Sequence, residues 1–63
     1  MYVSTASRMV EQIDNLLSDD RCTKAHAFKL GRAHVACFIP NRQDEARALI
    51  DEVNEAIKQD EKS

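Results

Sequence analysis

"RCTKAHAFKLGRAHVACFIP", residues 21–40, carries four basic side chains, two histidines and two cysteines, and no carboxylate. Its reading decides the fold, because the stretches on either side are easier to interpret. Drawn as a helix at about 100° per residue, Ala27, Phe28, Leu30, Gly31, His34, Val35, Cys37, Phe38 and Ile39 cover a broad apolar arc. Lys29, Arg32, Ala33 and Ala36 fall opposite, so the arc is expected to face the core. Gly31 costs about 1 kcal/mol relative to alanine inside a helix, and so marks either close packing against a neighbour or a break. "HVACFI" also suits a short strand on β-propensity, but a strand needs a second one to pair with and the chain offers none.

The preceding stretch is an amphipathic helix. Ala6, Met9, Val10, Ile13, Leu16 and Leu17 recur at helical spacing. Ser4 or Thr5 is placed to cap its start, and Ser18, Asp19 and Asp20 end it, since their short side chains compete for nearby backbone groups. The following stretch repeats the spacing with Ala46, Leu49, Ile50, Val53, Ala56 and Ile57. Its entrance is marked by Pro40, which pushes Ile39 out of the α region. Asn41 is the expected N-cap, with Asp44 and Glu45 complementing the positive helix end. The expected helices are therefore about residues 4–19, 22–38 and 42–60, with a frayed tail from about residue 60. Short links make consecutive helices antiparallel neighbours, giving an all-α three-helix domain over residues 1–63, with a dimer as a compatible form.

Composition supports this and limits the chemistry. With one Gly and one Pro among 63 residues, the turn residues that hairpins need are missing. A chain this short buries roughly 60% of its unfolded surface, so its stability is marginal and a partner helps. It also cannot enclose a deep substrate pocket. Tyr2 and Val3 add to the apolar residues available for the thin core. The sequence shows no basic-then-apolar leader and no apolar run near about 18 residues, so the expectation is a cytoplasmic chain, without membrane contact, whose thiols stay reduced.

Charge is segregated by segment. Residues 1–20 set one cation against four acids, residues 21–40 hold four cations alone, and residues 41–63 set four cations against seven acids. The basic middle segment is attracted to both neighbours, although exposed pairs are individually too weak to hold the packing.

Three kinds of site can be written onto this pattern. Cys22, His26, His34 and Cys37 are zinc-ligand types, but on one continuous helix the two pairs stand about 15 Å or more apart, and only a sharp break at Gly31 would bring them together. The alternative is that Cys37 and His34 are core or boundary residues while Cys22 and His26 are exposed. For DNA, Arg21, Lys24, Lys29 and Arg32 could meet phosphates while Asn41, Arg42, Gln43 and Arg47 read bases from a helix start. Asp44, Glu45, Asp51, Glu52 and Glu55 on the same helix oppose that contact electrostatically. Catalysis has the least support: no Gly-rich phosphate loop and no Ser, His and Asp constellation is visible, and no cofactor is implied. The expectation is a nonenzymatic helical protein that binds another protein through its charged faces, Lys24, Lys29 and Arg32 on one side and Asp51, Glu52 and Glu55 on the other. A small DNA-binding regulator is the alternative.

With its 63 residues, "MVEQIDNLLSDD" early and "DEARALIDEVNEAIKQDEKS" late, the chain resembles the small helical accessory proteins encoded between the exonuclease and excisionase genes of lambdoid bacteriophages. The resemblance implies an early phage protein, dispensable for growth, that tunes the lytic or lysogenic decision or host physiology through a bacterial protein. It carries no functional residue onto a numbered position.

Overall fold

The computed structural model describes residues 4–62. It contains three helices, α1 (Thr5–Leu17), α2 (Lys24–Ala36) and α3 (Gln43–Lys62), with one 3-10 turn, Pro40–Arg42, leading into α3. Each helix packs on the other two, and the α2–α3 interface is the most extensive. The ion pairs fix the relative direction of those two. Lys29 meets Glu52 and Arg32 meets Glu45, so advancing along α2 means retreating along α3. The domain is the all-α antiparallel three-helix arrangement the periodicity indicates.

Each helix starts and stops for a local reason. Ser4 has extended backbone and its hydroxyl accepts the Ser7 N–H at 3.1 Å, so it caps α1 and lies outside it. Ser18 closes α1 with its hydroxyl donating to the Asp14 carbonyl. Asp19 then accepts the Arg21 backbone N–H at 2.8 Å and both ends of the Arg21 guanidinium, at 2.9 and 2.8 Å. Those side-chain and backbone hydrogen bonds hold the Asp19 carboxyl down at about 2. With the chain turned there, α2 cannot begin at residue 22. It begins after Thr23, whose hydroxyl accepts the His26 N–H while His26 Nδ1 accepts the Thr23 N–H. Histidine thus takes the place glutamate or glutamine usually fills in a capping box.

The α2–α3 link departs from expectation at one residue. Ile39 is extended (φ −107°, ψ 112°) before Pro40, as expected, but Asn41 does not cap α3. It lies inside the 3-10 turn, whose cap position is Ile39, with no side-chain hydrogen bond there. Proline at the first position needs no N–H acceptor, which lets the turn run directly into α3. Helix α3 extends to Lys62, past the end near residue 60 that the sequence suggests. Tyr2, Val3 and the tail at Ser63 lie outside the described residues.

The core reverses the expected orientation of α2. Its buried residues are Met9 and Ile13 from α1, Leu30, Ala33, Ala36 and Cys37 from α2 and its end, and Ala46, Ile50, Val53 and Ile57 from α3. Ala33 and Ala36, expected to face solvent, are 0% and 3% exposed, whereas Phe28, Val35 and Phe38 are 70%, 63% and 61% exposed. The reason is volume. Helices α1 and α3 already fill much of the interior with branched and long side chains, so α2 comes close by presenting Ala33, Ala36 and Cys37 around one large residue, Leu30, and large against small is how facing layers interdigitate.

Ile13→Ala empties a fully enclosed position and is expected to lower the unfolding free energy by about 2–5 kcal/mol. Ala33→Leu, which forces bulk into a closed space, should cost about 1–3 kcal/mol. Phe28→Ala, in dilute solution, should change stability by less than about 0.5 kcal/mol. Urea titrations followed by circular dichroism check all three; a Phe28→Ala loss as large as that of Ile13→Ala would contradict the orientation of α2.

Candidate functional site

The residues singled out by sequence fall into three groups. Lys29 and Glu52 are joined at 2.8 Å across α2 and α3, and that hydrogen bond and the Lys29 charge lower the Glu52 carboxyl from its ordinary value. Arg32 approaches Glu45 at 3.8 Å, and Glu45 also holds Arg42 at 2.9 Å. Lys24, Asp51 and Glu55 are exposed. The charged positions expected to form two separate binding faces are thus partly spent on one another, because antiparallel packing brings the basic edge of α2 against the acidic edge of α3.

The candidate base readers are likewise committed inside the chain. Gln43 Nε2 donates to the Cys37 carbonyl at 3.2 Å, tying the end of α2 to the start of α3, and Arg42 Nε donates to Glu45. Arg47 is exposed. Arg42 and Gln43 therefore brace the link between α2 and α3, Asn41 is exposed, and the acids of α3 flank all three.

The cysteine and histidine residues stay apart. Helix α2 runs unbroken through Gly31, which leaves Cys22 and Cys37 at opposite ends of the segment. Among the described residues no three His, Cys, Asp or Glu side chains stand together as ligands for an ion. His26 belongs to the capping box. Cys37 is buried, its thiol donating to the His34 carbonyl at 3.0 Å, and burial pushes its pKa up. Cys22, expected to be exposed, is half-buried and packs against the core, while His34 is exposed and lies edge-on to Phe38 with ring centroids 5.5 Å apart.

What sequence reasoning missed is the outward face of α2. Gly31 lies opposite the buried edge, and Phe28, Val35 and Phe38 flank it at helical spacing, with Lys24 toward one end and His34 alongside. Phe28, Gly31, Arg32 and Val35 stand at i, i+3, i+4 and i+7 and, with Ala36 and the start of α3, line an open groove of about 410 Å³. Four residues at those spacings make the kind of hole into which a side chain of another helix inserts. The Arg32, Arg42 and Glu45 ion pairs border it. Exposed apolar patches of this kind mark interaction surfaces. The signal was present in the sequence: apolar residues occur on both sides of α2, with Leu30, Ala33, Ala36 and Cys37 on one side and both phenylalanines on the other.

No helix among the described residues is long and apolar enough to cross a membrane. No known family model matches the chain, and no curated protein or solved structure gives a significant match.

The two thiols should differ in reactivity. Cys37, enclosed and with a raised pKa, is expected to react with a thiol-specific alkylating reagent at least about tenfold more slowly than Cys22 at neutral pH, because the thiolate is the reactive form and access is needed as well. Mass spectrometry of timed, peptide-mapped samples reads the ratio, and equal rates would contradict the closed core around Cys37.

Proposed function

We propose that this chain is a noncatalytic helical module that acts in the cytoplasm by binding protein, with the outward face of α2 as its principal contact. The observation that carries this reading is the exposure of Phe28, Val35 and Phe38 at 70%, 63% and 61% while Ala33 and Ala36 of the same segment are buried. Leaving both phenylalanines of a 63-residue chain in water forgoes much of the apolar burial available to it. A protein surface that covers them recovers that burial.

The sequence likeness to lambdoid phage accessory proteins supports a role in the infected bacterium, tuning host physiology or the lytic or lysogenic decision. Lys29 and Glu52 are paired with each other, so Lys24 and Arg32 beside the apolar face, and Asp51 and Glu55 on α3, are the charged positions best placed to set partner choice. The DNA-binding alternative has less support, since Arg42 and Gln43 are engaged within the chain and the acids of α3 stand beside Asn41 and Arg47.

Photocrosslinking tests the reading. A benzophenone amino acid placed at position 28 or 38 of the full chain, expressed in bacteria and irradiated, is expected to give discrete protein adducts, while the same group at position 12 on α1 gives none. Absence of adducts from both position 28 and position 38 would contradict the proposal.

A further inference from the structure

Resting on the reading of α2 as a protein-docking face, we infer that the occupant of that face is a second copy of the same chain, with the two α2 helices crossing antiparallel at Gly31. Three observations carry this, and the first is Gly31 itself. A Cβ built there meets nothing within 4 Å, its backbone is ordinary helix, and α2 is continuous through it. The fold has no use for glycine at this position, so its cost to the helix is unexplained within one chain. Its place at the centre of the outward apolar face is explained if another backbone approaches there, because a missing side chain lets two helices come close.

The second observation is charge. The apolar strip along the middle of the outward face carries one formal charge, Lys24, while Arg32, Arg42 and Glu45 stand along one border of it. Lys24 lies seven residues before Gly31, about 10 Å along the helix, and Phe38 lies seven residues after it, in the turn just past the end of α2. In a parallel pair the two lysines would meet. In an antiparallel pair, each ammonium lies instead beside the partner copy's Phe38 ring and the carbonyl end of its α2, both of which favour a cation. Of the charges bordering the face, Lys29 is paired with Glu52, while Arg32 and Arg42 share the single Glu45 and leave one net positive charge at the border, exposed to solvent. A face that complements its own image under a two-fold rotation is the usual basis of a symmetric dimer.

The third observation is area. Two phenylalanines more than three-fifths exposed offer about 200–300 Å² per copy. With Val35, His34, Ala27, the Gly31 backbone and the Lys24 stem, the patch reaches about 500 Å² per copy, or about 1,000 Å² in the pair, the lower end of a specific interface. The dimer should therefore be weak and reversible.

Sedimentation equilibrium of the full chain from about 1 μM to 1 mM tests this, with Phe28→Asp and Gly31→Leu variants run beside it. The wild type is expected to pass from monomer to dimer, and Phe28→Asp should weaken association at least about tenfold. Gly31→Leu gives the sharper result. Added leucine would strengthen mere apolar stickiness, but here it should weaken the dimer at least about tenfold by separating the backbones, while raising the melting temperature of the dilute monomer. In the wild-type dimer, isotope-filtered NOEs should join the Phe38 ring of one copy to the Lys24 side chain of the other. A wild type that stays monomeric to 1 mM, a dimer indifferent to either substitution, or a dimer strengthened by Gly31→Leu would overturn the inference. Failure here is separable from failure of the docking reading: a monomer that still yields adducts with other proteins from positions 28 and 38 loses the self-association alone, whereas a monomer yielding none loses both.

Discussion

Volume matching between α2 and its two neighbours decides which way the middle helix faces. Met9 and Ile13 on α1 and Ile50, Val53 and Ile57 on α3 occupy most of the interior, and the space left beside them admits Ala33 and Ala36 but no ring. Leu30 and Cys37 complete that edge, both 0% exposed. Rotating α2 to bury Phe28 and Phe38 would place two aromatic side chains where methyl groups now fit, and overpacking a closed core is destabilising even when the added groups are apolar. The aromatic edge is therefore driven outward by the same packing that holds the domain together. The surface that most invites a partner is a direct consequence of how the core is filled.

Electrostatics plays a subordinate part. The acid-free segment settles beside acidic helices, and Lys29–Glu52, Arg32–Glu45 and Arg42–Glu45 pairs line the α2–α3 seam. These pairs are exposed and contribute modestly to stability. Their larger effect is to reduce the net field around the apolar face, so that a binding partner of α2 meets rings bordered by partly compensated charges instead of an unbroken basic strip. For function, this moves the emphasis from charged faces to an apolar one.

Periodicity made three helices and their order readable, because α1 and α3 each show one narrow apolar stripe and that pattern depends only on helix geometry. Ser4 as a cap, the turn at Ser18 and Asp19, and the extension of Ile39 before Pro40 were readable as well, since each follows from the chemistry of one or two residues. The facing of α2 was not. A helix apolar on both sides has no preferred orientation by hydropathy alone, and weighting the large residues Phe28, Val35 and Phe38 toward the core overlooked that the partners were already bulky. Asn41 was misplaced for a similar reason: cap preference describes an isolated helix start, whereas Pro40 begins a 3-10 turn one residue earlier. Pairing of Lys29 with Glu52, and of Arg42 with Glu45, required the register of α2 on α3, which no local pattern encodes.

The claim on which the rest stands is that α2 turns its alanine edge inward and its aromatic edge outward. Side-chain NOEs measured on the dilute monomer test it most directly. The account predicts cross-peaks from the Ala33 and Ala36 methyl groups to core protons of α1 and α3, among them Ile13 and Val53, with none from the Phe28 ring to those residues. Cross-peaks joining the Phe28 ring to Ile13 or Val53, with Ala33 silent, would contradict it.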